Sequence, residues 1–112
     1  MLKDRLERLG AVAEHLPFHV ENLEAANEAF ARWWESRSDA DLKTVEVWLY
    51  CYTQRYVLLR LLREALVAPS DVDRLIEVVF LRARDGLGQV DEPMHFTHWV
   101  NVVCRNERRM ES

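Results

Sequence analysis

The sequence predicts an all-α fold, a compact bundle of about five helices, and three observations carry that prediction. Apolar residues recur at spacings of three and four along most of the chain, as on a helix with one buried face. No alternating apolar–polar run is long enough for a strand. Only three glycines and three prolines punctuate the 112 residues, too few for a turn-rich β architecture. At this length the chain is one domain with room for a substantial core.

Leu2, Leu6, Leu9, Ala13 and Leu16 mark a first helix over 2–16, and Pro17 ends it. Asn22 is placed to cap a second helix, in which Leu23, Ala26, Phe30, Trp33 and Trp34 form the apolar stripe. Asn27 falls on that stripe and is expected at the edge of the buried face. Ser38 and Asp41 form a variant capping box that opens a long third helix. Its expected inner side is Leu42, Val45, Trp48, Leu49, Tyr52, Tyr56, Leu59, Leu62 and Leu66.

A fourth helix opens at Ser70 with Asp73 three residues on, again a variant capping box. Leu75, Val78, Val79, Arg82 and Ala83 fall on its stripe, widened by Ile76 and Phe80. Gly86 and Gly88 are expected to stop it, since glycine accepts the left-handed conformation of a C-terminal cap. The stretch Gly88–Met94 reads as a polar surface loop. Phe96, Trp99, Val100 and Val103 mark a fifth helix, which ends Arg105-Asn106-Glu107-Arg108-Arg109 with cations where the helix dipole favours them.

The formal net charge of −4 argues against indiscriminate nucleic-acid binding, which needs many cations facing phosphates. Only the last stretch, 96–112, is positive: three basic side chains against two acidic. Cys51 and Cys104 make neither a disulfide framework nor a zinc site and read as buried reduced thiols. The first fifteen residues are charged and amphipathic, unlike a signal peptide, and no apolar run approaches membrane-spanning length. A cytoplasmic location with no membrane contact is therefore expected. His95 and His98 have metal-ligand spacing, but no cysteine or carboxylate stands at a matching interval, so no metal is expected. Asp71/Asp73 and Asp91/Glu92 read as helix-start and loop acids rather than an acid–base couple. No phosphate loop, nucleophile elbow or H-E-x-x-H is present. The expectation is a protein that is not an enzyme and needs no cofactor.

The runs DVDRLIEVVFLRA (71–83) and FTHWVNVVCRN (96–106) resemble region 2 of bacterial RNA polymerase sigma factors, most of all the extracytoplasmic-function group, whose usual wording is close to DAEDLVQEVFLRA…FRAWLYRIARN. Upstream, YTQRYVLLRLLRE (52–64) is similar to the helix that precedes this pair in the family. The resemblance covers roughly residues 44 to 110, with Phe96, Trp99, Arg105 and Asn106 as its most specific part. It implies a sigma-region-2-like helical core at 44–112, with 1–43 as an additional N-terminal helical segment.

By that resemblance the fourth helix docks on core RNA polymerase through Asp71, Asp73, Arg74, Glu77, Phe80, Leu81 and Arg84. Gln89, Asp91 and His95 in the loop border a pocket for a base flipped out of the minus-ten promoter element. Thr97, Asn101, Arg105, Asn106, Arg108 and Arg109 meet the separated strand, with Asn106 on a base edge and the arginines on phosphates. Such roles suit amide and guanidinium groups once a base is unstacked. Trp99 shares a stripe with Phe96 and Val103 and is read as core. The assignment requires Asn106 and its arginine neighbours to emerge beside the glycine-bounded turn as one continuous face.

The chain departs from the family at several points. The family's Gln-Glu pair is Glu77-Val78, the acid before its leucine is Arg74, and Thr97, Asn101 and Val102 stand where basic or aromatic residues are usual. The chain reaches Ser112 without a second domain for the minus-thirty-five element, as expected of a piece of a longer sigma factor or of a stand-alone domain. Residues 1–43 are read as a helical hairpin covering the core, or more sharply as a docking surface for a regulator such as an anti-sigma factor, or a DNA mimic. The competing function is a sigma-like helical interaction module, an adaptor or regulator that does not read DNA.

Overall fold

The computed structural model describes the backbone of residues 2–62 and 69–111 and the side chains of 4–60 and 72–106. Five helices follow one another: α1 Leu2–Ala13, α2 Leu23–Ser36, α3 Asp39–Leu62, α4 Pro69–Asp85 and α5 Phe96–Glu111. Two 3-10 turns, Leu87–Gln89 and Pro93–His95, join α4 to α5. No strand occurs among the described residues. The expected all-α bundle is what forms, with a radius of gyration of 13.9 Å against about 13 Å for a compact chain of this length. No described helix is long and apolar enough to cross a membrane.

The bundle is built around α3, which packs against all four other helices. A helix so surrounded buries residues on every side. Cys51, Thr53, Gln54, Val57 and Leu58 are covered as well as the expected Val45, Trp48 and Leu49. The single stripe drawn from the sequence is therefore too narrow, and Leu59, placed on it, is exposed. The predicted inner positions Leu62 and Leu66 lie outside the described side chains. Thr53 is tolerated in the core because its hydroxyl donates to the Leu49 carbonyl at 2.7 Å.

Aromatic rings fill the centre. Phe30 of α2 stacks on Phe96 of α5 with centroids 4.3 Å apart and planes 5° from parallel. Trp48 of α3 leans on Phe96 at 5.3 Å and stacks on Tyr52 at 4.7 Å. The Trp48 indole N–H donates to the Val20 carbonyl at 3.0 Å, so a buried polar atom is satisfied and the α1–α2 connection is tied to the core.

The local signals hold in part. Asn22 caps α2 as expected, its side chain accepting from the Ala25 N–H at 3.1 Å. Asp41 N–H donates to the Ser38 hydroxyl at 3.2 Å, the first half of the box. The second half goes to Ser36, which accepts from Ser38 N–H at 3.1 Å and donates to the Asp41 carboxylate at 2.5 Å. That hydrogen bond, then the one involving Ser38, holds the Asp41 carboxyl below its ordinary pKa. Helix α1 stops at Ala13. Leu16 is still buried, but in a turn where His15 and Leu16 N–H groups reach back only three residues. The Ser70–Asp73 box lies outside the described side chains at Ser70.

Two expectations fail on α4. Its buried line is Val72, Ile76, Val79 and Ala83, and Arg82, placed on the stripe, is exposed. An arginine there can stay in water because the helix meets its neighbours through a narrower face centred one position away. Gly86 is not left-handed: its φ is −94°, and no described glycine has positive φ. Its lack of a side chain matters for another reason. A Cβ there would meet the Trp99 ring at 2.9 Å and the Arg82 carbonyl at 3.2 Å. The one positive-φ residue among those described is Arg37, at 54°, which closes α2.

Candidate nucleic-acid and partner interface

On α4, Asp73, Glu77, Phe80, Leu81 and Arg84 recur at spacings of four and three and so share one side of the helix. Asp73, Arg74, Glu77 and Arg84 are exposed, while Phe80 and Leu81 are half-buried. Of the set expected to face polymerase, Asp73, Glu77, Phe80, Leu81 and Arg84 share this side, Arg74 is exposed at its edge, and the side chain of Asp71 is outside those described.

Several of these groups already have partners inside the molecule. Arg5 of α1 pairs with Asp73 at 2.7 Å. The Phe80 ring meets Tyr50 of α3 edge-on at 5.9 Å. The Arg84 guanidinium lies 5.8 Å from the Phe80 centroid and 3.6 Å from the Asp85 carboxylate. Most of these atoms are well solvated, so each ion pair contributes at most about 1 kcal/mol and could yield to a stronger external partner. No signal in the sequence links Arg5 to Asp73, because their closeness depends on how α1 lies across α3.

The connection between α4 and α5 is only partly a surface loop. Gln89, Asp91, Glu92, Met94 and His95 are exposed, but Leu87 and Val90 are buried. These two apolar side chains anchor the turn and leave its polar residues facing out. His95 sits between the loop acids, Nδ1 3.7 Å from Asp91 and Nε2 3.8 Å from Glu92. Gln89, Asp91 and His95 therefore lie on one short exposed segment, acidic in sum. No group of three potential metal ligands converges among the described residues.

Helix α5 divides its residues sharply. Phe96, Val100 and Cys104 point inward, and Thr97 is only 8% exposed. Thr97 is thereby withdrawn from the set expected to meet DNA: its backbone N–H donates to the Asn27 side chain at 2.9 Å, and α2 covers it. Asn101 is half-buried, whereas His98, Arg105 and Asn106 are exposed. His98, Val102, Arg105 and Asn106 stand at intervals of four, three and one, along the outer side of the helix. The side chains of Arg108 and Arg109 lie outside those described. Trp99 is half-buried and packs over Gly86, as its reading as core implies.

Arg105 and Asn106 do emerge on an outer face, but not beside the glycine-bounded turn. The turn lies at the start of α5, and ten residues of helix from Phe96 to Asn106 amount to about 15 Å. A ligand touching both must run along the helix rather than sit in one pocket.

Matches to known proteins supply nothing further. No protein family, curated protein or solved structure matches this chain. What the site can do rests on its own chemistry: an exposed amide and guanidinium at one end of α5, and a mixed-charge surface with an aromatic edge on α4.

Proposed function

We propose that this chain is a sigma-like transcription initiation domain. In this reading α4 binds core RNA polymerase, and the outer face of α5 holds the separated minus-ten strand of promoter DNA. The observation that carries the reading is the exposure of Arg105 and Asn106 on the outer face of α5, the two residues of the F-x-x-W…R-N pattern with groups suited to a phosphate and a base edge. The expected continuity of that face with the glycine-bounded turn is not met, so the strand is proposed to run along α5, and the base pocket at the turn is left out of the proposal. The sequence resemblance to sigma region 2 supplies the rest of the support. Asn106 reads, Arg105 with Arg108 and Arg109 neutralises phosphate, and Asp73, Arg74, Glu77, Phe80, Leu81 and Arg84 form the polymerase contact. The role is one of binding, with no chemical step.

The test is a titration of fluorescent single-stranded minus-ten oligonucleotide, alongside co-migration with core polymerase. Asn106→Ala is expected to weaken DNA binding about tenfold, the loss of one base contact, with an unchanged thermal melt. Three phosphate contacts on a single strand give a slope of about −2 in log K against log salt. Binding that ignores both Asn106 and salt sinks the DNA half of the proposal. A second reading, a protein-interaction module without DNA reading, is favoured by one observation: Thr97 is buried and Asn101 half-buried, which thins the polar strip on α5. Its mark is a stable complex with a protein partner and no response to oligonucleotide.

A further inference from the structure

A cleft of about 480 Å³ opens between α1, α3 and α4, lined by Arg5, Arg8, Leu9, Val12, Tyr50, Gln54 and Asp73. Its volume falls in the range of small-molecule sites. Gln54 is only 8% exposed, and its side chain has no hydrogen-bond partner among the described residues. Among the described residues no fully enclosed side-chain nitrogen or oxygen is left unpaired, so the Gln54 amide keeps some access to solvent, and it lines the cleft. Beside it lies Tyr50, a residue 41% exposed whose ring packs edge-on against Phe80. Two guanidinium groups form one wall. Arg5 is held by Asp73, while Arg8 has no acidic partner among the described residues. On a chain of net charge −4, the cleft pairs two cations with one acid.

The Gln54 amide makes no hydrogen bond inside the described protein, so its donor and acceptor are left to water or to a ligand in the cleft. An amide offers donor and acceptor together and suits a planar group with the complementary pair on one edge. A fixed aromatic face stacks on such a group, and a free guanidinium binds the anion attached to it. From these three we infer that the cleft takes a nucleoside monophosphate, its base on Tyr50 and against the Gln54 amide, its phosphate at Arg8. The site is distinct from the outer face of α5 and does not depend on the transcription reading.

Adenosine 5′-monophosphate titrated into the full chain by isothermal calorimetry tests it, with adenosine and inorganic phosphate as separate arms. The expected result is saturable binding of the nucleotide, weakened about tenfold or more by Gln54→Leu and by Arg8→Ala, and unchanged by Asn106→Ala. Each variant is checked by circular dichroism, and Gln54→Glu, which keeps size but loses the donor, is the second probe should the leucine variant unfold. Three outcomes overturn the inference: no binding at about 1 mM nucleotide, binding indifferent to Gln54 and Arg8, or adenosine binding as tightly as its phosphate. Loss on Asn106→Ala alone would place the nucleotide on α5 and overturn it equally.

Discussion

Gly86 shows how one residue can be recognised in sequence for a reason the structure replaces. Glycine after a helix suggests a left-handed cap, yet here the backbone is ordinary, at φ −94°, and the space beyond it belongs to the Trp99 ring, 2.9 Å from where a Cβ would stand. Gly86→Ala is therefore expected to destabilise by about 1–3 kcal/mol, the usual cost of overpacking, read as a lower urea midpoint. Trp99→Leu in the same chain should recover part of that loss. Were Gly86→Ala instead to stabilise by about 0.4–1 kcal/mol, as alanine does where backbone and space both permit it, the steric account would be wrong. Arg37 is the converse case: nothing in the sequence marks it as left-handed. Its conformation is held by its N–H on the Trp33 carbonyl at 2.7 Å, its Nε on the Trp34 carbonyl at 3.1 Å, and its guanidinium over both indoles at 4.5 and 4.9 Å.

At the scale of the element, what was legible is what depends on neighbours in sequence. The five helices, the Asn22 cap and the inward face of α5 follow from periodicity and capping chemistry; on α2 the stripe holds at Ala26 and Phe30, while Leu23, placed on it, is exposed. What was not legible depends on contacts between distant segments. Asn27 looks like a flaw in an apolar stripe. In three dimensions its side chain accepts the Thr97 N–H at 2.9 Å across seventy positions of sequence, capping α5 from another helix. First-turn N–H groups have no partner within their own helix, so Asn27→Ala should cost about 1–2 kcal/mol and speed hydrogen exchange at the Thr97 amide. Asn27→Asp keeps the acceptor and adds charge favourable to a helix N-terminus, and should hold stability near that of the native chain. Equal exchange rates at Thr97 in all three proteins would refute the assignment. The candidate surfaces divide in the same way: Arg105 and Asn106 were readable as exposed, while the Arg5–Asp73 and Phe80–Tyr50 partnerships were not.

Across the whole molecule one apolar cluster runs from Leu9 to Cys104 and takes residues from every helix. The segment 1–43, which the sequence sets apart from the sigma-like part, supplies Phe30 to its centre. Cys104 reports on this core. Burial pushes its thiol up to about 12 from an ordinary value of 9.0, and burial raises Cys51 as well. The folded protein thus keeps its thiol protons to higher pH than the unfolded chain does. Stability is complete below about pH 9 and falls by about 1.4 kcal/mol per pH unit as pH rises toward about 12 for Cys104 alone. Denaturant titrations across that range check it: Cys104→Ala should flatten the slope, and an unchanged slope would show that the thiol is not the cause. Finally, the Asn27 tether makes α2 the pivot of a lever. Its short arm grips the root of α5, and its long arm carries Arg105 and Asn106 outward. A chimera that borrows residues 69–111 alone would keep the lettering of the motif and lose its bearing.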